Sequence, residues 1–224
     1  MKRILTLAFC ALIALGSAFA ADTNHNFAVW EKEVREFESS DRTNPPPKGA
    51  ILFLGSSGIR LWKTLAADFP EHKVIGRGIG GCEIVDLTHF AERVVFPYEP
   101  KMIVFRCGGN DLTRRKSAED VAADFKEFVA KVHSRLPDTE IVFLSWNPTI
   151  RRWDNRQKEA EFNRLVEQFA AKAPRVKYVE TTDLFLNAEG KPKAELLAED
   201  KLHFSAEGYR VLTKRVLPIL PASK

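Results

Sequence analysis

The stretch Ile51-Leu52-Phe53-Leu54-Gly55-Ser56-Ser57-Gly58-Ile59 sets an unbroken apolar run directly against a turn of glycine and serine. Consecutive apolar residues leave no polar face for water, so the run reads as a strand covered on both sides, as in a parallel sheet. Further short runs follow at Val74-Ile75, Met102 to Phe105, Ile141 to Leu144 and Val176 to Val179. Helical patterns lie between them. The clearest carries Val121, Phe125, Phe128, Val129, Val132 and Leu136 after a Ser117-x-x-Asp120 capping signal. A second passes through Ala160, Leu165, Val166, Phe169 and Ala173, and a third begins at Ser205 with Tyr209, Leu212, Val216 and Leu220, fraying at Pro218. Strand alternating with helix implies right-handed crossovers and an α/β fold. The expected architecture is a three-layer α/β/α sandwich around a central, mainly parallel sheet of about five strands.

Upstream, Phe27, Trp30, Val34 and Phe37 mark an amphipathic helix that Asn44-Pro45-Pro46-Pro47 brings to an end. The first residues are of another kind. Lys2 and Arg3, the apolar stretch Ile4 to Leu15 and the small-x-small site Ala18-Phe19-Ala20 read as a signal peptide over residues 1–20, with the mature chain starting at Ala21. Residues 21–48 then form a helix and proline-rich lead-in to a domain spanning 49–224. Export to the periplasm or beyond is expected, with no lasting membrane association after cleavage.

The chain has 224 residues, 45% hydrophobic and 29% charged, enough for one core and too few for two. Its formal charge of +4 falls once Lys2 and Arg3 are removed, leaving 32 basic residues against 30 acidic. The basic residues are mixed with acids apart from Arg114-Arg115-Lys116 and Arg151-Arg152, which argues against a nucleic-acid partner. Nothing in the sequence specifies an oligomeric state.

Ligands of an open parallel sheet sit at the carboxyl ends of its strands, so the loops there deserve the closest reading. They are Gly55-Ser56-Ser57-Gly58-Ile59, Gly76-Arg77-Gly78-Ile79-Gly80-Gly81, Gly108-Gly109-Asn110-Asp111 and, last, Asp200-Lys201-Leu202-His203. Singly, each is an ordinary turn or cap. In this order they resemble the SGNH hydrolases, also called the GDSL esterase and lipase family, a set of flavodoxin-like serine hydrolases. Gly55-Ser56-Ser57 matches the Gly-Asp-Ser block with Ser56 in the place of Asp; Gly80-Gly81, Gly108 to Asp111 and Asp200 to His203 match the other three.

The resemblance implies Ser57 as nucleophile, His203 as its base and Asp200 as the acceptor that orients the imidazole. It implies an oxyanion hole built from the Ser57 N–H, the Gly81 N–H and the Asn110 side chain, and neither metal nor cofactor. Chemistry agrees, since a serine hydroxyl needs an adjacent base and that base needs an orienting partner. The spacing of Asp200 and His203 suits one helical turn. Gly76 to Gly81 also fits G-x-G-x-x-G, but the acid that a dinucleotide site needs at the end of the next strand is replaced by Phe105-Arg106-Cys107. His25, His72, His89, His133 and His203 form no metal-ligand spacing. Cys82 and Cys107 flank two of the loops and read as buried free thiols in preference to a disulfide.

Ser145 to Trp153 follows the fourth strand and overhangs the same edge. Trp146, Arg152 and Trp153 are candidate substrate contacts, by stacking on a sugar or holding an anionic group, or else parts of a packed loop. No insertion is long enough to make a lid. Short-chain esters are therefore expected, acetyl groups on carbohydrate among them; the alternative is a catalytically silent carbohydrate-binding protein on the same fold.

Overall fold

The computed structural model describes residues 25–222, so the signal sequence expected over residues 1–20 lies outside the described residues. Five strands, β1 (Ile51–Gly55), β2 (Val74–Gly78), β3 (Met102–Arg106), β4 (Glu140–Leu144) and β5 (Val176–Val179), form one all-parallel sheet in the order β2-β1-β3-β4-β5. The inner strands β1 and β3 are buried at every position, whereas β2 and β5, at the edges, are only partly covered. That contrast explains why the inner runs read as continuous apolar sequence.

Successive strand residues point to opposite faces. Leu52, Leu54, Ile103, Phe105, Ile141 and Phe143 therefore feed one core, and Ile51, Phe53, Met102, Val104, Val142 and Leu144 feed the other. The first core is closed by helices Glu31–Thr43, Ala118–Arg135 and Arg156–Ala170, and the second by Ser57–Arg60, Leu65–Asp68 and Ala206–Val216. The three-layer expectation holds. The helix before the proline run shares this packing, because Val34 is fully buried in the first core. Arg93 ties it down through Glu31 and Glu38. Among the described residues no helix is long and apolar enough to cross a membrane.

Two local expectations are corrected. The glycine-rich run after the second apolar pair is not all loop, since β2 continues through Gly76-Arg77-Gly78. A Cβ on Gly78 would stand 2.1 Å from the Arg60 amide nitrogen, so this glycine lets the Ser57–Arg60 helix lie against β2. The run's first glycines thus belong to strand packing. The second correction concerns Asp200 and His203, which sit on a bend and not on a helical turn. Lys201, at φ 56°, turns the chain between them, and the helix begins only after Ser205, whose side chain caps it.

Candidate active site

β1 stops where its neighbours force it to. A Cβ on Gly55 would lie 2.1 Å from the Arg106 carbonyl oxygen, so only glycine allows β1 and β3 to run this close before the chain turns. Ser56 donates its N–H to that same carbonyl, and Ser57 opens the one-turn helix Ser57–Arg60. As the first helical residue, Ser57 carries one of the N–H groups that a helix leaves without an internal partner. Tyr209 holds this helix in place by donating its hydroxyl to the Gly58 carbonyl.

The histidine loop is pinned at both sides. Ala198 donates to the His203 carbonyl, and Arg151 donates its N–H to the Lys201 carbonyl at 3.0 Å. Within the bend, Asp200 Oδ1 accepts the N–H groups of Leu202 and His203, each at 3.0 Å, and Oδ2 meets His203 Nδ1 at 2.5 Å. Burial opposes the charge on Asp200. The His203 N–H, the His203 ring and the Leu202 N–H outweigh it and hold the pKa at about 2. The other ring nitrogen, Nε2, lies 2.9 Å from Ser57 Oγ. With Nδ1–H held by the carboxylate, Nε2 is left as the acceptor that can take the serine proton. Ser56 lines the same cleft, but the contact with the imidazole belongs to Ser57.

Asn110 lies in the first turn of helix Gly109–Thr113 and is locked from both ends. Its Nδ2 donates to the Cys82 carbonyl at 2.9 Å, and its Oδ1 accepts from Arg152 Nη2 at 3.0 Å. Arg152 Nη1 donates to the Gly109 carbonyl at 3.2 Å. One neighbour is purely an acceptor and the other purely a donor, so the amide has one orientation, with a single N–H left for a third partner. Gly81, at φ 90°, follows in the Ile79–Cys82 turn. A Cβ there would meet the Trp30 indole at 3.1 Å, so the backbone angle and Trp30 both favour glycine at this position.

Ser57, Asn110, His203, Trp146, Arg106 and Arg152 line one cleft enclosing about 450 Å³ of empty space, continuous with solvent. Arg106 escaped the sequence reading, although a guanidinium closing the apolar strand Met102–Arg106 is its visible signal. Trp146 is braced by paired hydrogen bonds between its backbone and the Asn163 amide. Trp153 stands apart: it does not line the cleft, and its ring packs between Arg156 and Lys191 at 4.8 and 4.4 Å. Cys82 and Cys107 are free and fully buried, with sulfurs 4.0 Å apart. They lie behind the cleft and do not line it, and burial pushes both thiols up. His25 contacts Asp86, His89 stacks on Phe27 and His133 bonds the Thr139 carbonyl. Among the described residues no group of three His, Cys, Asp or Glu side chains is placed to hold a metal ion.

This sheet order, with the serine, asparagine and histidine loops gathered at its carboxyl edge, defines a flavodoxin-like α/β protein of the SGNH type. The chain belongs to the GDSL-like lipase/acylhydrolase family, whose sequence model matches residues 52–211. It is 28% identical over 176 residues to the human platelet-activating factor acetylhydrolase IB subunit alpha2, covering 73% of this chain and 72% of that one. A GDSL-like lipase from Bacteroides thetaiotaomicron superposes with a TM-score of 0.73 at 18% identity over 87% of this chain and 98% of the other. An acetylxylan esterase from Geobacillus stearothermophilus gives 0.61 at 19% identity, covering 77% of this chain and 94% of that one. The two structural likenesses are likenesses of fold.

Proposed function

We propose that this protein is an exported serine esterase acting on short-chain carboxylic esters, acetyl groups on carbohydrate among them. Ser57 is the nucleophile, His203 the general base and Asp200 the residue that orients and stabilises the imidazole. The reading is carried by the unbroken hydrogen-bonded chain from Asp200 Oδ2 through both ring nitrogens to Ser57 Oγ, with steps of 2.5 and 2.9 Å.

Ser57 Oγ attacks the ester carbonyl carbon as its proton passes to His203 Nε2. The carbonyl electrons move onto oxygen, which faces the Asn110 Nδ2–H and the N–H groups of Ser57 and Gly81. Such donors act mainly on the transition state, because the charge they meet develops only there. Collapse expels the alcohol, which takes the proton from His203. Water then attacks the acyl-serine and gives a proton to His203; the carboxylic acid leaves and Ser57 recovers its proton.

The small cleft and the lack of a lid insertion favour small acyl groups, and the Trp146 ring suits a sugar face. The likeness to an acetylxylan esterase supports the same substrate class. Export rests on the sequence of residues 1–20 and is read out by a mature N-terminus at Ala21. A fluorophosphonate probe mapped by mass spectrometry tests the mechanism. Labelling at Ser57, lost in Ser57→Ala and kept in Ser56→Ala, is expected; labelling at Ser56 or at neither serine overturns it.

A further inference from the structure

Arg106 ends β3 inside the cleft and is 3% exposed. Its guanidinium carbon stands 4.6 Å from the centre of the Trp146 ring and 5.0 Å from that of Phe204. Nη1 donates to the Ser145 carbonyl and Nη2 to Asn147 Oδ1, both at 2.5 Å. These neutral acceptors engage part of a donor set that has five N–H groups. Among the described residues no carboxylate pairs with Arg106.

A buried charge is ordinarily paired, because leaving water is costly for an ion. Here burial pulls the Arg106 pKa down to about 10, so the group is still a cation at neutral pH. The carboxylic acid whose field reaches it is Glu159, itself buried and in no ion pair with either guanidinium. Burial pushes Glu159 up to about 8 against the pull of Trp146, Arg152 and Arg106, and even when ionised a single carboxylate offsets only one of the two guanidiniums beside it. Arg152 adds a second guanidinium to the same wall, and no aspartate or glutamate lines the cleft. Asp200 nearby is already engaged by His203. The cleft is therefore a desolvated site with two guanidiniums in its wall and no carboxylate counter-ion lining it.

We propose that the substrate supplies that counter-ion: the cleft takes esters bearing a carboxylate a few bonds from the ester group, held by the remaining N–H donors of Arg106 in the field of Arg152. The two aromatic rings and the bonds to Ser145 and Asn147 hold the planar fork in place, so little ordering is needed when a carboxylate arrives. This deepens the serine-esterase reading and rests on it for turnover, while the binding step stands apart from catalysis.

The carboxylate can belong to the acyl group or to the alcohol, and paired substrates separate the two. For the acyl side, monoethyl succinate is compared with its neutral isostere ethyl 4-methylpentanoate. For the alcohol side, 3-acetoxypropanoate is compared with 3-methylbutyl acetate. Hydrolysis is followed by pH-stat titration at neutral pH. In at least one pair the anion is expected to show a kcat/KM at least about tenfold higher, equivalent to about 1.4 kcal/mol. Arg106→Met should abolish that preference, read as the ratio within each variant so that a general loss of activity cancels. Calorimetry on Ser57→Ala should detect the preferred anion and not its isostere, with binding lost in Ser57→Ala/Arg106→Met.

Neutral esters turned over by Ser57 as well as the anions in both pairs would overturn the anionic subsite and leave the esterase intact. Anion binding to a protein that hydrolyses none of the four would sink the esterase reading alone. Should Arg106→Met not fold, the wild-type ratio and the binding to Ser57→Ala still decide the matter.

Discussion

Replacing Arg152 with methionine should slow the chemical step without weakening the binding of a neutral ester. Arg152 reaches Asn110 Oδ1 at 3.0 Å and the Gly109 carbonyl at 3.2 Å, so its charge is held beside the amide proposed to face the developing oxyanion. An oxyanion on the far side of that amide lies about 6 Å from the guanidinium, where a unit charge at an effective dielectric of about 20 is worth about 3 kcal/mol. Arg152 is only part-buried, and solvent screening should halve this to about 1.5 kcal/mol, or about tenfold in rate. The amide keeps its bond to the Cys82 carbonyl, so its orientation should survive in most molecules. The expected result with 4-nitrophenyl acetate is a kcat roughly five- to thirtyfold lower in Arg152→Met, with KM within about twofold. Arg152→Lys should recover part of the loss, since it restores charge without the forked geometry. A cycle with Asn110→Ala separates this role from mere orientation of the amide: a charge acting through space should still cost most of its tenfold once the amide is gone. Little further loss in the Asn110→Ala background, or an effect confined to KM, would refute the reasoning.

Glu159 and Asp111 should make the fold less stable as pH rises. Burial raises their pKa values to about 8 and about 7, so between the ordinary carboxylate range and those values the folded chain holds protons the unfolded chain has lost. Stability is then complete below about pH 4 and falls as pH climbs through 7 and 8, by a few kcal/mol for Glu159. Glu159→Gln should flatten the fall in melting temperature between pH 6 and 9, leaving the smaller Asp111 component; a curve parallel to the wild type would contradict this. Gly109→Ala should lower both melting temperature and kcat, because its Cβ would come 2.0 Å from the Trp146 ring, which Asn163 holds from both sides. Thermal melts and initial rates on one sample check both effects. A fully active, fully stable Gly109→Ala would mean that Trp146 is free to move aside.

The sheet was legible because strand burial leaves a local record. Met102 to Phe105 and Ile141 to Leu144 are apolar at every position since helices cover both faces, and the helices between them repeat at their own period. The ends of the strands were harder to read. Gly76, Arg77 and Gly78 have poor strand propensity, and only their pairing with Phe53, Leu54 and Gly55 makes them part of β2. The spacing of Asp200 and His203 was compatible with a helical turn, yet the bend at Lys201 brings the same two groups together. Spacing along a chain limits which groups can meet and leaves the backbone path between them open.

By itself, then, the sequence determined the element order, the mainly parallel class of sheet and the short blocks carrying Ser57, Gly81, Asn110, Asp200 and His203, because periodicity and turn chemistry are properties of neighbouring residues. The tertiary structure decided which of them touch. Ser57 and His203 are 146 positions apart and meet at 2.9 Å; Arg152 reaches back 42 positions to lock Asn110, while Trp153 beside it faces other cations. Arg106 shows the limit most plainly. Its sequence position says only that a strand ends in a charge, and that it forms no ion pair among the described residues is settled only once β3, the Ser145–Asn147 loop and Phe204 have closed around it. Such contacts depend on how whole elements pack, and no local pattern records them.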